Sequence, residues 1–216
     1  MHPDSLVWAL LRRLHAPIYR RRISALVRLI RPHLRPDDRV LDVGCGFGAL
    51  GRALLDAPHA VTNLSVVGLE KELRVPALIP IKRYAGGEFP YPDRWADVVI
   101  LADVLHHDPD PGALLREAAR VSRRLVVIKD HAVAGPGARQ RLALMDWAAN
   151  RPYDAGCLYR YNTVDTWHRI RQRHGFALVE ERDSLSLYPP VVDSIFGGRL
   201  QYFAVLAVDP RALGRL

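Results

Sequence analysis

The chain has 216 residues, 49% of them hydrophobic and 25% charged, which is typical of one globular domain. This composition excludes a disordered, collagen-like or coiled-coil protein, and no apolar run approaches the roughly 18 residues of a membrane-spanning helix. Cys45 and Cys157 are too few and too far apart to indicate a disulfide framework or a zinc knuckle. The opening residues do not follow a signal-peptide pattern. We therefore expect a single cytoplasmic domain over residues 1–216.

The net charge of +8 is concentrated at the N-terminus. Residues 1–36 contain eight arginines and one acid, Asp4, whereas the other 180 residues contain 23 basic and 22 acidic side chains. The basic segment is interpreted first as a solvated helix face. The alternatives are a patch for an acidic substrate, for an anionic membrane or for RNA.

Hydrophobic periodicity predicts two short N-terminal helices, one before Pro17 and one before Pro32, followed by alternating strands and helices. The predicted strands are Arg39–Val43, Val66–Leu69, Ile81–Tyr84, Asp97–Leu101, Leu125–Ile128, Ala177–Glu181 and Gln201–Val208. The predicted helices are Ala49–Leu55, Pro111–Val121, Ala138–Ala149 and Val164–His174. This alternation predicts an α/β fold with a mostly parallel sheet and helices on both faces. Residues 131–162 interrupt it and are expected to form a small lid.

The most informative segment follows the first strand, where Asp42 precedes glycines at positions 44, 46 and 48. Glycines permit a tight turn and let the backbone approach a ligand closely. The helix that follows points its first amide groups into the same space. A carboxylate here would repel a pyrophosphate but favour a ligand that has an ammonium group and no phosphate. The loop therefore favours S-adenosylmethionine as the ligand.

A second acid, Glu70, ends the next strand about twenty residues further on, where a carboxylate accepts hydrogen bonds from ribose hydroxyls. Nicotinamide and adenosylmethionine sites both use such an acid. Residues 46–51 also match the GxGxxG pattern of a dinucleotide site. That alternative is weaker because its glycines begin late after the strand and because it gives Asp42 no role.

The order of these motifs resembles the class I S-adenosylmethionine-dependent methyltransferases, in particular their type 11 branch, which acts largely on small molecules. The resemblance rests on Asp42 to Gly48, Glu70, Phe89 to Asp93, Ala102 to His107, and the helix from Leu114 to Val121. The resemblance is clearest over about residues 38–130. Residues 145–150, 161–162 and 188–190 are similar to a compact bacterial subgroup. The family implies a Rossmann-like, doubly wound sheet of seven strands with the last strand antiparallel.

The resemblance also implies roles for individual residues. The glycine loop would hold the methionine portion, Glu70 the ribose, and Leu69 with Lys71 the adenine, whereas Asp103 would contact the ammonium group or the substrate. The implied cofactor-binding residues are Asp42, Gly44, Cys45, Gly46, Gly48, Glu70, Lys71, Glu88 and Asp103. Family members usually have an adenine-binding Asp where this chain has Ala85. Either Glu88 substitutes for it, a backbone carbonyl serves, or cofactor affinity is weakened.

Methyl transfer from a sulfonium is an in-line displacement, so the protein must mainly align the nucleophile and exclude water. A base is needed only when the nucleophile carries a proton of high pKa. His106 and His107 follow the fourth strand and His131 the fifth, at the edge where open parallel sheets bind ligands. These three histidines are the catalytic candidates. The alternative is that they only bond loop backbone or stack on the cofactor.

We expect a methyltransferase with a small-molecule acceptor, O-, N- or C-directed, that enters between the N-terminal helices and the lid, and we expect no metal. One alternative is an RNA methyltransferase that uses the arginine-rich segment as a phosphate track, although no appended RNA-binding module is recognisable. Another is a non-catalytic adenosylmethionine-binding protein, which is suggested by Ala85 at the position where family members usually have an adenine-binding Asp. A third is an enzyme whose residues 5–31 lie on an anionic membrane.

Overall fold

The computed structural model describes residues 6–58, 61–150 and 158–208, with side chains described from residue 16 onward and not at residue 150. The strands are β1 (Arg39–Val43), β2 (Ser65–Glu70), β3 (Ile81–Arg83), β4 (Ala96–Ala102), β5 (Ser122–His131), β6 (Ala177–Arg182) and β7 (Gln201–Ala207). The α-helices are α1 (Leu6–Ile30), α2 (Ala49–Asp56), α3 (Pro111–Val121), α4 (Ala138–Asn150), α5 (Val164–Arg173) and α6 (Pro190–Phe196). Short 3-10 turns lie at Arg31–His33 and Leu105–His107.

The seven strands form one sheet in the order β3-β2-β1-β4-β5-β7-β6. β1 pairs in parallel with β2 and β4, and β7 inserts antiparallel between β5 and β6. The predicted doubly wound, Rossmann-like sheet with an antiparallel last strand is confirmed. The strand order reverses between β1 and β4, and open α/β sheets bind ligands at the carboxyl ends of the strands beside such a point.

Side chains that alternate along the strands build a core on each face of the sheet. Leu41 on β1 packs with α3 and α5 on one face, whereas Val40 packs with α1 and α2 on the other. Residues 98–101 of β4 are fully buried because helices cover both faces. Both faces of this central strand are therefore fixed by packing and both edges by its pairing with β1 and β5, which holds the start of the following loop in place.

The structure corrects three expectations. The two predicted N-terminal helices are one helix, α1, that continues through Pro17. A proline removes one helical hydrogen bond, but Leu26 and Ile30 in the next turns are completely buried and their packing stabilises the continued helix. The segment predicted as a long loop before β7 contains α6, with Pro190 at its first position. β5 extends beyond its predicted end and reaches His131.

Other expectations have different outcomes. The bounds of α3 agree with the prediction, because Asp110 accepts a hydrogen bond from the Ala113 amide and Pro111 starts the helix. Residues 151–157 of the expected lid lie outside the described residues. Within the described part of the chain, no helix is long and apolar enough to cross a membrane. The single domain over residues 1–216 stays a prediction.

Candidate functional site

The glycine loop joins β1 to α2, and its three glycines have different surroundings. All three adopt positive φ angles, 66° at Gly44, 58° at Gly46 and 80° at Gly48. A Cβ atom on Gly44 would lie 2.5 Å from Cγ2 of Val104, and one on Gly48 would lie 2.4 Å from Cγ1 of Ile79. Around Gly46 no heavy atom comes within 4 Å of that position. Gly44 and Gly48 are therefore required by packing, whereas Gly46 borders open space.

Glu70, the last residue of β2, lies directly against this loop. One carboxylate oxygen accepts a hydrogen bond from the amide of Gly46 at 2.7 Å, and the other accepts from the amide of Lys71 at 2.8 Å. The second acid of the predicted site therefore lies beside the glycine loop.

Asp42 is buried at the end of β1, and its Oδ2 has no hydrogen-bond partner among the described residues. Burial raises the pKa of Asp42 to about 7, the charge of Glu70 adds to this effect, and the Gly51 amide and Arg22 oppose it. Burial also raises the pKa of Cys45, with a further contribution from the charges of Asp42 and Glu70. A raised pKa disfavours the thiolate, which is the nucleophilic form of cysteine.

A cavity of about 610 Å³ opens beside Gly46 at the carboxyl edge of the sheet. Most of its wall is apolar, from α1, the segment after β2, α4 and α6; examples are Ile18, Leu78, Met145 and Phe196. The polar part of the wall includes Asp103, His106, His107 and His131 from the predicted site, together with Arg22 and Asp146. The structure thus brings the three catalytic candidates together on one side of a ligand-sized cavity.

His106 is fixed from behind by Asp130. The Nδ1 atom of His106 lies 2.7 Å from Oδ1 of Asp130, and the same carboxylate accepts bonds from the amides of Leu105 and His131. Burial alone would lower the pKa of His106, but the charges of Asp130 and Asp146 outweigh it and raise this pKa to about 9. Burial and the neighbouring His106 lower the pKa of His107. The pKa values of the two adjacent histidines are therefore shifted in opposite directions.

Asp146 reaches this wall from α4. Its Oδ2 accepts a hydrogen bond from the Tyr161 hydroxyl at 2.6 Å and lies 3.5 Å from Nε2 of His106. Its Oδ1 lies 3.4 Å from Nε2 of His131. The sequence predicts Asp146 on the lid helix, as one of the residues that could cover the substrate. No local signal links it to the histidines, because the contact exists only after α4 packs over the sheet edge.

Asp103 lies between two cations. Arg22 from α1 and Lys129 from β5 each donate a hydrogen bond to one of its carboxylate oxygens. Despite burial, these two charges hold the pKa of Asp103 well below its usual range. Lys129 is completely buried, and a lysine inside the apolar run of β5 was the available sequence signal for this ion pair. The predicted contact of Asp103 with the cofactor or substrate stays a prediction.

The residues expected around the adenine lie further from the cavity. The ammonium of Lys71 is 3.1 Å from Asp108, and the exposed Glu88 is 3.9 Å from Arg120. Ala85 is also exposed. None of these three is among the described residues that line the cavity. The role of Glu88 as a substitute adenine ligand therefore stays a prediction.

The polar wall also has the composition of a metal site. One possible set of ligands is Asp103, His106 and His131, and a second is His106, His107 and Asp146. In each set the ligand atoms lie within 4.8 Å of one another. His106 belongs to both sets, and its partner Asp130 is outside them.

The sheet topology, the glycine loop and Glu70 together define the class I S-adenosylmethionine-dependent methyltransferases. A family model described as a methyltransferase domain matches residues 15–181. The chain belongs to this family.

Relatives with assigned activities match the central part of the chain. The sequence is 35% identical over 99 residues to 27-O-demethylrifamycin SV methyltransferase of Amycolatopsis mediterranei, a match that covers 42% of this chain and 36% of that protein. It is 37% identical over 113 residues to a sarcosine/dimethylglycine N-methyltransferase of Halorhodospira halochloris, covering 48% and 40%. The matches thus span well under half the length of these relatives.

A similar solved structure is that of an S-adenosylmethionine-dependent methyltransferase from Aquifex aeolicus. It has a TM-score of 0.60 and 14% identity, and the match covers 97% of this chain and all of that one. At this identity the likeness concerns the fold.

The residues at the loop fit S-adenosylmethionine. The open space at Gly46 is a cradle that a side chain would fill, and Glu70 stands beside it with a carboxylate for hydroxyl groups. The unpartnered oxygen of Asp42 favours a cationic ligand.

Proposed function

We propose that the protein transfers the methyl group of S-adenosylmethionine to a small-molecule acceptor bound in the 610 Å³ cavity. The observation that carries the proposal is that Gly46 of the glycine loop and the histidines His106, His107 and His131 line the same cavity. A molecule in the cavity would therefore have both the cofactor loop and the polar wall within reach. This is the arrangement that an in-line transfer needs.

The chain's own residues would hold the cofactor as the family pattern implies. Glu70 would exchange its bond to the Gly46 amide for ribose hydroxyls, and the loop backbone with Asp42 would face the methionine portion. When bound, S-adenosylmethionine supplies an electrophilic methyl group on a sulfonium. The apolar wall from α4 and α6 excludes water from the acceptor.

The wall chemistry indicates what kind of acceptor fits. The volume suits a drug-sized molecule, and the apolar side chains favour a largely hydrophobic body. The histidine wall would bind and orient a single polar, nucleophilic end. Asp130 locks the His106 ring and Tyr161 locks Asp146, so this wall is rigid before the acceptor arrives. The relatives named for O- and N-methyl transfer support a small-molecule acceptor.

The contacts of the arginines on α1 favour the RNA alternative less than the small-molecule proposal. Arg21 donates to the backbone carbonyl of Tyr188, and Arg22 is paired with Asp103 inside the cavity wall. Two consecutive arginines of the expected phosphate track are thus engaged within the fold.

An anionic membrane surface is the partner that we infer for the mouth of the cavity. Leu78 and Leu144 line the cavity and are also strongly exposed, and Val75 lies next to Pro76 on the same rim. α1 contributes Tyr19 to this rim, and the N-terminal segment carries most of the chain's net positive charge. A basic helix beside exposed apolar side chains matches an anionic lipid surface, from which a hydrophobic acceptor would enter.

The experiment has two stages. Calorimetric titration of the purified protein with S-adenosylmethionine and S-adenosylhomocysteine, with NADH as the control ligand, tests the cofactor. Incubation with methyl-labelled S-adenosylmethionine and a panel of hydrophobic phenols, acids and amines then tests the transfer. We expect binding of the first two ligands and label in an organic-extractable product. Cofactor binding with label only in added RNA would replace the small-molecule proposal.

A further inference from the structure

His106 presents a free, buried ring nitrogen to the cavity wall. Its Nδ1 is occupied by Asp130, so only Nε2 remains, and this atom has no hydrogen-bond partner among the described residues. The ring is almost fully buried, and Nε2 lies 3.5 Å from Oδ2 of Asp146. A carboxylate that holds the far nitrogen of a histidine fixes both tautomer and ring orientation, as it does behind metal-bound histidines.

Two further donors converge on the same point. The ring centroid of His107 lies 4.0 Å from that of His106, and both rings line the cavity. The ligand atoms of His106, His107 and Asp146 lie within 4.8 Å of one another. Asp146 is itself anchored by the Tyr161 hydroxyl at 2.6 Å. The three donors thus come from two separate elements, and each element is braced by a neighbour.

The charges around this point leave room for a cation. Three carboxylates, those of Asp103, Asp130 and Asp146, face the two permanent cations Arg22 and Lys129. A proton on His106 would balance the third carboxylate. A divalent cation bound at Nε2 would take the place of that proton, because a metal ligand must be deprotonated.

We propose that His106, His107 and Asp146 bind a divalent transition-metal ion, with a coordination position open to the cavity. Two imidazoles and one carboxylate are a donor set that suits zinc, iron or cobalt and does not suit magnesium or calcium. No sequence signal predicts this site, since Asp146 lies about forty residues from the histidines and no ligand spacing connects them.

The metal site itself does not depend on the proposed function. Its consequence for the choice of acceptor does, because it requires that the acceptor binds in the cavity. The open coordination position faces the cavity in which the acceptor is placed, so the acceptor would be a molecule with a hydroxyl or enol oxygen that can become a metal ligand. Coordination lowers the pKa of such an oxygen and fixes its position. This narrows the acceptor class from any nucleophile to an oxygen nucleophile.

The test measures metal binding directly. Purified protein is freed of metal with a chelator and titrated with ZnCl2 in a calorimeter and with CoCl2 in a visible spectrometer, where coordination by nitrogen ligands gives absorption bands. The variants are His107→Ala and Asp146→Asn, with His107→Gln as a milder change. His168→Ala is the matched control, because His168 also pairs with a carboxylate, that of Glu181, outside the cavity.

We expect one ion per chain, with affinity at least tenfold weaker in both His107 variants and in Asp146→Asn, and unchanged in His168→Ala. Asp130→Asn should weaken binding by about 10–100-fold, as loss of a carboxylate behind a histidine ligand does. Circular dichroism and thermal melting identify any variant that fails to fold, and for such a variant the milder change decides. Equal affinity in wild type, His107→Gln and Asp146→Asn would overturn the proposal and leave protons as the balancing charge.

The same samples are titrated with S-adenosylhomocysteine. Metal binding that is lost in the variants while this ligand still binds supports a site separate from the cofactor loop. If wild-type protein binds the metal but not S-adenosylhomocysteine, the proposed methyltransferase function fails and the metal site stands.

Discussion

The carboxylate of Glu70 accepts a hydrogen bond from the amide of Gly46 at 2.7 Å, which joins the end of β2 to the glycine loop of β1. Gly46 is also the loop glycine that borders open space. The carboxylate of Glu70 and the open space at Gly46 are therefore adjacent in the structure, and a ligand that enters this space contacts the carboxylate directly.

Replacing Glu70 by Ala should weaken S-adenosylhomocysteine binding. A hydrogen bond to a charged group contributes about 1.5–3 kcal/mol, so the expected loss is roughly 10- to 100-fold in Kd. Calorimetric titration measures it. Glu72→Ala, two residues further along the same exposed segment, is the control and should bind normally. Equal affinity in the two variants would show that Glu70 has no part in cofactor binding.

Asp42 gives a prediction about pH. Its pKa in the folded protein is about 7, above the ordinary value of 3.8, because the side chain is buried and lies near Glu70. The folded state therefore holds a proton that the unfolded chain has already released. The stability that depends on this proton is complete at low pH and is lost as the pH rises from about 4 through about 7.

Asp42→Asn removes this dependence because an amide does not ionise. We expect the free energy of unfolding of the variant, relative to wild type, to rise as the pH increases from about 4 to about 7 and to level off above that value. Urea unfolding at several pH values measures the difference. Asp183→Asn, at an exposed position, is the control. A constant difference between wild type and Asp42→Asn across this range would contradict the raised pKa.

The sequence predicted the fold well where local signals and packing agree. Alternating apolar runs bounded by turns identified all seven strands, and Asp110 with Pro111 fixed the start of α3. It failed at Pro17, where tertiary packing of the later turns overrides the local effect of proline. The candidate histidines could be predicted because residues that follow parallel strands lie at the same edge of the sheet, where ligands bind. The contact of Asp146 with these histidines was not predicted, because it forms only when α4 packs over the sheet edge and no spacing in the sequence indicates it.

The buried ion pair between Asp103 and Lys129 predicts a large loss of stability when one partner is removed. Asp103→Asn leaves the fully buried Lys129 without its carboxylate, and removal of one partner from a buried pair costs about 3–5 kcal/mol. Urea unfolding measures the loss. Adding Lys129→Met to this variant should recover part of it, because no uncompensated ammonium remains.

Asp56→Asn is the matched control for the buried pair. Asp56 pairs with Arg52 on the exposed face of α2, where water screens the charges, and its loss should change stability little. A double variant at positions 103 and 129 that is less stable than Asp103→Asn alone would contradict the account of Lys129.

Gly44 and Gly46 separate two reasons for a glycine in this loop. Gly44 is required by packing against a neighbouring side chain, whereas Gly46 leaves room for a ligand. Gly44→Ala places a methyl group 2.5 Å from Val104, and its φ of 66° adds the cost of the left-handed region, about 1–2 kcal/mol. Gly46→Ala has a similar φ but meets no atom within 4 Å. We expect Gly44→Ala to be the less stable variant in thermal melts, and Gly46→Ala to lose more affinity for S-adenosylhomocysteine at a smaller loss of stability.

A double-mutant cycle isolates the contact with Val104. If the added methyl group clashes with this side chain, Val104→Ala should relieve the clash and make Gly44→Ala/Val104→Ala more stable than the sum of the single changes predicts. Strict additivity would show that the φ angle alone accounts for the loss in Gly44→Ala.

The exposed apolar rim of the cavity predicts binding to anionic vesicles. Val75 is 85% exposed and Leu144 is 54% exposed, and both are large side chains that water hydrates poorly. We expect the protein to co-sediment with vesicles of phosphatidylcholine and phosphatidylglycerol at low salt, and several-fold less after Val75→Ser/Leu144→Ser. Val179→Ser is the control, because Val179 is 52% exposed but lies on β6.

Salt and lipid composition separate the two parts of this interaction. Charge attraction from the arginine-rich segment falls as salt screens it, whereas burial of the rim side chains does not depend on salt in this way. Binding to phosphatidylglycerol vesicles should therefore decrease at high salt in wild type and in Val179→Ser alike. The rim variant should be weaker than both at every salt concentration. If it binds as well as Val179→Ser throughout, the arginines alone account for the interaction, and the rim serves only to admit acceptor from water.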